Sequence, residues 1–133
     1  MAGELFWDTS GFFAPLNTDD PQHHAARTLA AGRIAGLTTD AVVGESCTLL
    51  IARGKSHLVP RFLDITERSR TLQVVHLDEA LVADSKNFLR RHLDHAYSFV
   101  DCASFVVMTA HRLIDAATTD AHFVEAGFIA RLR

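Results

Sequence analysis

Short apolar runs alternate with longer amphipathic stretches along this chain, and most of the runs stop at a turn signal. The runs with the length and composition of buried strands are residues 5–7, 37–39, 72–77 and 114–118, with 127–129 as a candidate edge strand. Apolar residues spaced three and four apart predict helices over 21–35, 41–53, 56–70, 78–93 and 98–113. Strands that alternate with helices indicate an α/β fold with a mainly parallel sheet.

Polar residues that precede three of these helices are suitable N-caps. Asp78 and Ser98 stand directly before apolar periodic stretches, where their side chains can accept a hydrogen bond from a free backbone N–H. Asp19 or Asp20 is expected to cap the helix at 21–35, with Pro21 in its first turn.

Four acidic residues stand where an apolar run stops, and they are Asp8, Glu45, Asp101 and Asp120. In parallel sheets ligands bind beyond the carboxyl ends of the strands, so the predicted topology brings these acids to one rim. A cluster of carboxylate oxygens suits Mg²⁺ or Mn²⁺. Nearby hydroxyl groups are expected to orient the ligands or donate to a phosphate, and they belong to Thr9, Ser10, Ser104, Thr118 and Thr119.

Each acid taken alone also fits a structural role as a helix cap or a turn residue. Glu45 fits that role least, because it lies in an apolar helical stretch between Val43 and Cys47. A buried, unpaired carboxylate there would be costly, which favours a bound cation.

Length and composition predict one globular domain over residues 1–133, since 48% of residues are hydrophobic and 22% are charged. No apolar stretch approaches the ~20 residues that span a membrane, and the N-terminus does not resemble a signal peptide, so we expect a cytoplasmic protein. The net charge of −3 argues against strong non-specific binding of nucleic acid. The four acids contribute four negative charges, however, and the remainder carries a net charge of +1, so RNA or DNA stays open as a substrate.

Two other groups of residues invite a functional interpretation. Cys47 and Cys102 form no CxxC pair and are expected to be reduced, buried thiols. His92, His95 and His111 have neither a cysteine partner nor an HExxH motif, so zinc is not favoured.

The densest basic patch has two interpretations. Its residues, together with one later arginine, are Lys86, Arg90, Arg91 and Arg112. They either complement the dipole of their own helix or hold RNA phosphates beside the metal site.

At the four acids the sequence resembles a known family. Phe6-Trp7-Asp8-Thr9-Ser10 is similar to a first-strand motif that ends in Asp, and residues 39–45 are similar to the segment that carries a single Glu. Residues 98–108 resemble a central-helix motif with the third acid, and residues 119–123 followed by 126–128 resemble the fourth. Together, and over nearly the whole chain, they resemble the PIN-domain ribonucleases, and within these the VapC-type toxins of bacterial toxin–antitoxin pairs.

The resemblance implies a three-layer α/β/α sandwich and a Mg²⁺-dependent endoribonuclease, with Mn²⁺ as a substitute. It implies Asp8 and Asp101 as direct metal ligands, Asp120 completing the site, and Glu45 either ligating the metal or positioning water. It also implies a homodimer and an antitoxin whose C-terminal segment crosses the active site. His122 stands where many relatives carry another acid, so a fifth ligand is open.

Two alternatives to a ribonuclease toxin remain at this stage. One is a PIN-like binding module without catalysis, and the other is a DNA-directed nuclease with the same metal chemistry. Transfer, ribosomal and messenger RNA are all open as targets, because no sequence pattern here encodes the choice.

Overall fold

Five short strands form one sheet in the computed structural model, which describes residues 4–32 and 35–133. The strands are β1 (Leu5–Trp7), β2 (Gly36–Thr39), β3 (Leu72–Val75), β4 (Asp115–Ala117) and β5 (Ile129–Ala130). Their order in the sheet is β3-β2-β1-β4-β5, and every neighbouring pair is parallel. The central strand is therefore β1, and its carboxyl end leads directly to Asp8.

Seven helices connect and follow these strands in the described residues. They are α1 (Thr9–Phe13), α2 (His23–Ala31), α3 (Asp40–Ala52), α4 (Val59–Arg68), α5 (Glu79–Arg91), α6 (Phe99–Ala110) and α7 (Ala121–Glu125). Single 3₁₀ turns lie at Ala14–Leu16, Ser56–Leu58 and Leu93–His95.

The alternation of side chains along β1 divides the core between the two faces of the sheet. Leu5 and Trp7 pack on one face with Ala26 of α2. Phe6 packs on the other face with Phe105 and Met108 of α6. Helices thus cover both faces of the parallel sheet, which confirms the predicted α/β/α sandwich.

Most predicted elements are present, with shorter bounds. The run at 72–77 pairs only as far as Val75, and the edge strand is Ile129–Ala130 rather than 127–129. The helix predicted over 56–70 divides into a 3₁₀ turn and α4. Asp78 and Ser98 do cap α5 and α6, accepting hydrogen bonds from the backbone N–H groups of Leu81 and Asp101.

The start predicted for the helix at 21–35 is wrong. The helix is α2, its N-cap is Gln22, and no side chain caps it. Asp20 instead accepts a hydrogen bond from the backbone N–H of Gln22 at 2.8 Å, which makes it a turn residue. Residues 33 and 34 of the predicted helix lie outside the described residues.

Close packing of α1 against β4 completes the edge of the sheet where the acids lie. A Cβ at Gly11 of α1 would come within 2.0 Å of the carbonyl oxygen of Ala117 in β4. Only glycine therefore permits this approach, which brings Thr9 and Ser10 beside the residues that follow β4.

Candidate active site

One cleft of about 620 Å³ at the carboxyl edge of the sheet is lined by all four predicted acids. Asp8 directly follows β1, Glu45 lies in the second turn of α3, and Asp101 is the third residue of α6. Asp120 is the N-cap of α7, a five-residue helix that the sequence analysis did not identify. Residues far apart in sequence thus meet because parallel strands end at the same edge.

Asp8 is the buried acid of the cleft, with 5% of its surface exposed. Its Oδ2 accepts hydrogen bonds from the hydroxyl groups of Thr118 at 2.8 Å and Ser10 at 3.2 Å. Burial raises the pKa of Asp8 to about 6, the negative charges of Asp101 and Asp120 add to this, and the bond from Thr118 only partly offsets it. An ionised Asp8 is therefore costly here without a cation.

Asp101 and Asp120 are both helix caps and cleft residues, so the two interpretations of these acids are compatible. Asp101 forms a capping box with Ser98, accepting from its backbone N–H at 3.1 Å and donating its own N–H to the Ser98 hydroxyl at 3.0 Å. Asp120 accepts from the backbone N–H of His122 at 2.9 Å. Within the described residues, Oδ1 of Asp101 and Oδ2 of Asp120 accept no hydrogen bond and can bind a ligand.

Glu45 has a different environment from the one expected. The expectation of a buried carboxylate is wrong, because Glu45 is exposed on the cleft side of α3. Its Oε1 accepts a hydrogen bond from the hydroxyl of Thr9. The burial argument for a bound cation therefore does not apply to Glu45. It applies to Asp8, which is buried.

His122 lies with the acids. Its Nδ1 is 3.1 Å from Oδ2 of Asp101 and 3.6 Å from Oδ1 of Asp120. Burial of the imidazole lowers its pKa, but the hydrogen bond to Asp101 and the negative charges of Asp120 and Glu125 outweigh burial, so the pKa of His122 lies above its usual value. The residue at the position of the possible fifth ligand is therefore an imidazole that contacts two of the four carboxylates.

The donor set fits a divalent cation. Asp101, Asp120 and His122 each offer one ligand atom, and these atoms lie within 4.8 Å of one another. In the described residues neither Asp8 nor Glu45 belongs to this closest group, although both line the same cleft. The carboxylate oxygens in this set are the type of ligand that suits Mg²⁺ or Mn²⁺.

The predicted supporting residues differ in their positions. Thr9, Ser10 and Thr119 line the cleft, and the backbone N–H of Thr119 donates to the Ser10 hydroxyl at 3.0 Å. Ser104 is fully buried, and its hydroxyl donates to the carbonyl of Val100 within α6, away from the cleft lining. The strongest donor to Asp8 is Thr118, at the end of β4.

The predicted phosphate contacts do not line this cleft. Lys86, Arg90 and Arg91 are exposed on α5, and Arg90 donates to Asn87 at 2.7 Å. Arg112 follows the far end of α6, a helix whose length of about 18 Å separates it from Asp101. Contacts of these residues with RNA stay a prediction.

The basic side chain that lines the cleft is Arg53, which the sequence analysis missed. It stands alone in the sequence, so a search for dense basic patches does not identify it. Its spacing of eight residues from Glu45 along a predicted helix was the available signal, because that spacing places both residues on one helix face.

The cysteines are unpaired, with Cys102 buried and Cys47 partly exposed. No helix in residues 4–32 and 35–133 is long and apolar enough to cross a membrane.

Comparison with known proteins identifies close matches. A family model described as PIN domain matches residues 5–129. The chain is 33% identical over 126 residues to the 23S rRNA-specific endonuclease VapC20 of Mycobacterium tuberculosis, in strains CDC 1551 / Oshkosh and H37Rv, which covers 94% of this chain and 95% of that protein. The crystal structure of M. tuberculosis VapC20, described as a sarcin–ricin loop cleaving toxin, superposes with a TM-score of 0.87 at 32% identity and covers 94% of this chain and 96% of the other.

Proposed function

This chain belongs to the PIN-domain family as a VapC-type endoribonuclease toxin, and from that premise we propose that its four-acid cleft hydrolyses a phosphodiester bond of 23S ribosomal RNA. The observation that carries the proposal is the convergence of Asp8, Glu45, Asp101 and Asp120 on one cleft. The choice of RNA is supported by the similarity to a 23S rRNA endonuclease along nearly the full length of both chains.

The metal that we propose is Mg²⁺, with Mn²⁺ as a substitute, held by Asp8, Asp101 and Asp120. When bound, such a cation offsets two of their negative charges and polarises a phosphoryl oxygen. The protein supplies fixed geometry: Thr118 and Ser10 orient Asp8, and the ends of α6 and α7 hold Asp101 and Asp120. Little reorganisation is then needed when the RNA arrives.

Glu45 has a separate role in this proposal. It is exposed to solvent in the cleft, and Thr9 holds one of its oxygens. A carboxylate in this position can orient the attacking water and accept its proton while the negative charge moves to the leaving oxygen. Thr9 fixes the orientation of the carboxylate without removing its second oxygen from the cleft.

Substitution of the acids tests the function. Asp8→Asn and Asp101→Asn should each lower the rate of RNA cleavage at least about 100-fold, as should EDTA, while the circular dichroism spectrum is retained. Asp84→Asn, on the exposed side of α5, is the matched control and should cleave at the normal rate. Normal RNase activity in either cleft variant would contradict the assignment.

The same assay separates the two alternative functions. Single-stranded DNA of the same sequence should remain intact when the RNA is cut, because the proposed substrate is RNA. A non-catalytic module would cut neither, and it need not bind Mn²⁺ in a titration of the metal-free protein.

We also propose cytoplasmic localisation, a homodimer and a cognate antitoxin as the protein partner. The protein also has an apolar cavity of about 230 Å³, and Trp7, Phe12, Leu16 and Phe62 are among the residues that line it. Light scattering of the purified protein, alone and with the product of an adjacent small open reading frame, tests both partners.

A further inference from the structure

The cleft is strongly acidic for a site that must receive RNA. Its lining carries six carboxylates, those of Asp8, Asp19, Asp20, Glu45, Asp101 and Asp120. A divalent cation offsets only two negative charges, so an incoming phosphate still meets net repulsion. Among the described residues that line the cleft, the single lysine or arginine is Arg53.

Arg53 is held in place without being neutralised. Its guanidinium carbon lies 5.7 Å from the centre of the Phe13 ring, a distance typical of a cation–π contact. Although it shares the cleft with six acids, Arg53 forms no salt bridge with any carboxylate in residues 4–32 and 35–133. Its planar set of N–H donors is therefore available to an oxyanion from outside the protein.

The register of α3 defines where that oxyanion lies. Glu45 and Leu49 of α3 and Arg53, the C-cap residue directly after it, are four residues apart, and all three line the cleft along one side of the helix. Eight residues at 1.5 Å each separate the Cα atoms of Glu45 and Arg53 by about 12 Å along the helix axis. Arg53 and Glu45 therefore enter the cleft from two different positions along the helix axis.

We propose that Arg53 binds a backbone phosphate of the RNA that flanks the scissile bond, and that it thereby aligns the strand along α3. The inference rests on the proposed ribonuclease function. It differs from a structural role in which Arg53 only complements the negative end of the α3 dipole, since that role involves no RNA.

Steady-state cleavage of a single-stranded RNA by the full chain tests the proposal. Arg53→Ala should raise KM about tenfold and change kcat less than about twofold, because the contact lies beside the reacting phosphate. Arg53→Lys keeps the positive charge but loses the planar guanidinium group, so its KM should lie between the values of the unsubstituted protein and Arg53→Ala. Arg70→Ala is the matched control, because Arg70 is exposed and precedes β3 at the opposite edge of the sheet.

A second measurement identifies the contacted group. Binding of RNA to the inactive Asp101→Asn protein should lose about 0.7 in the slope of log K against log salt when Arg53→Ala is added. Backbone phosphates of the RNA can also be replaced one at a time by neutral methylphosphonates. At one position the replacement should weaken binding to the Asp101→Asn protein, and it should have no further effect when Arg53→Ala is also present.

The outcomes distinguish a failure of the proposed role of Arg53 from a failure of the proposed ribonuclease function. Suppose that the unsubstituted protein and Arg53→Ala both cut RNA with equal KM values and bind it with equal salt slopes. That result would overturn the role of Arg53 but would not contradict the ribonuclease function. Absence of cleavage of any RNA by the unsubstituted protein would overturn the proposed function itself. Thermal melting of each variant monitors folding, and Arg53→Lys retains the test if the alanine variant unfolds.

Discussion

At the scale of single residues, the burial of Asp8 is the strongest argument for a cation. Its folded-state pKa of about 6 lies above the ordinary value of 3.8. The folded protein therefore binds a proton that the unfolded chain has released, so the stability of the metal-free protein falls as pH rises from about 4 to about 6 and stays low above that range.

Asp8→Asn should thus stabilise the metal-free protein at pH 7, by up to about 3 kcal/mol for a shift of roughly two pH units. The asparagine can still accept the hydrogen bond from Thr118. Urea unfolding in EDTA at pH 5 and pH 7 measures the effect, with exposed Asp64→Asn as control. A variant that is less stable than the parent at pH 7 would contradict this account of Asp8.

His122 gives a second prediction at this scale. His122→Ala should weaken Mn²⁺ binding about 10-fold or more in a calorimetric titration, because the imidazole holds Asp101, one of the proposed ligands, in place. His57→Ala, exposed beyond the end of α3, should bind Mn²⁺ with unchanged affinity. Equal affinities for all three proteins would exclude His122 from the metal site.

Residue patterns predicted the four acids but not all of their surroundings. The acids are visible because each ends an apolar run. The exposure of Glu45 depends on how α3 and α1 approach one another, and no local pattern encodes that approach. The proximity of His122 to Asp101 likewise depends on two helix ends that are separated in the sequence.

At the scale of elements, the strands and the long helices can be predicted from the period of hydrophobic residues, whereas short helices cannot. β1 matches its predicted bounds because all three of its residues are buried. α7 has five residues, which is too short for a 3.6-residue period to show. The start of α2 was mispredicted because Asp20 stabilises a turn before the helix rather than the helix itself.

Two glycine substitutions test the element packing that brings Thr9 and Ser10 to the site. Gly11→Ala should destabilise the fold by about 2 kcal/mol or more, because its Cβ would clash with the carbonyl of Ala117. Gly44→Ala is the matched control within α3, where a Cβ meets nothing within 4 Å, and it should stabilise by about 0.5–1 kcal/mol. Chemical denaturation measures both, and equal effects would contradict the packing of α1 on β4.

At the scale of the whole molecule, the parallel sheet explains why distant segments form one site. The alternation of strands and helices was sufficient to predict the sandwich, and parallel strands then deliver their carboxyl ends to one edge. The RNA target, unlike the fold, does not follow from the alternation of strands and helices, because recognition of RNA rests on the shape and charge of the assembled surface. Similarity to a characterised relative, rather than sequence pattern, supports that part of the proposal.

Mapping the cleavage of 23S rRNA in intact ribosomes by primer extension tests directly whether the four-acid cleft is a metal-dependent nuclease. The unsubstituted protein should produce a defined cut in 23S rRNA in the presence of Mg²⁺. That cut should disappear with EDTA and with Asp101→Asn, and it should persist with Asp84→Asn. A cut that survives Asp101→Asn, or 23S rRNA that stays intact with the unsubstituted protein and Mg²⁺, would contradict the proposal that the four-acid cleft is a metal-dependent ribosomal RNA nuclease.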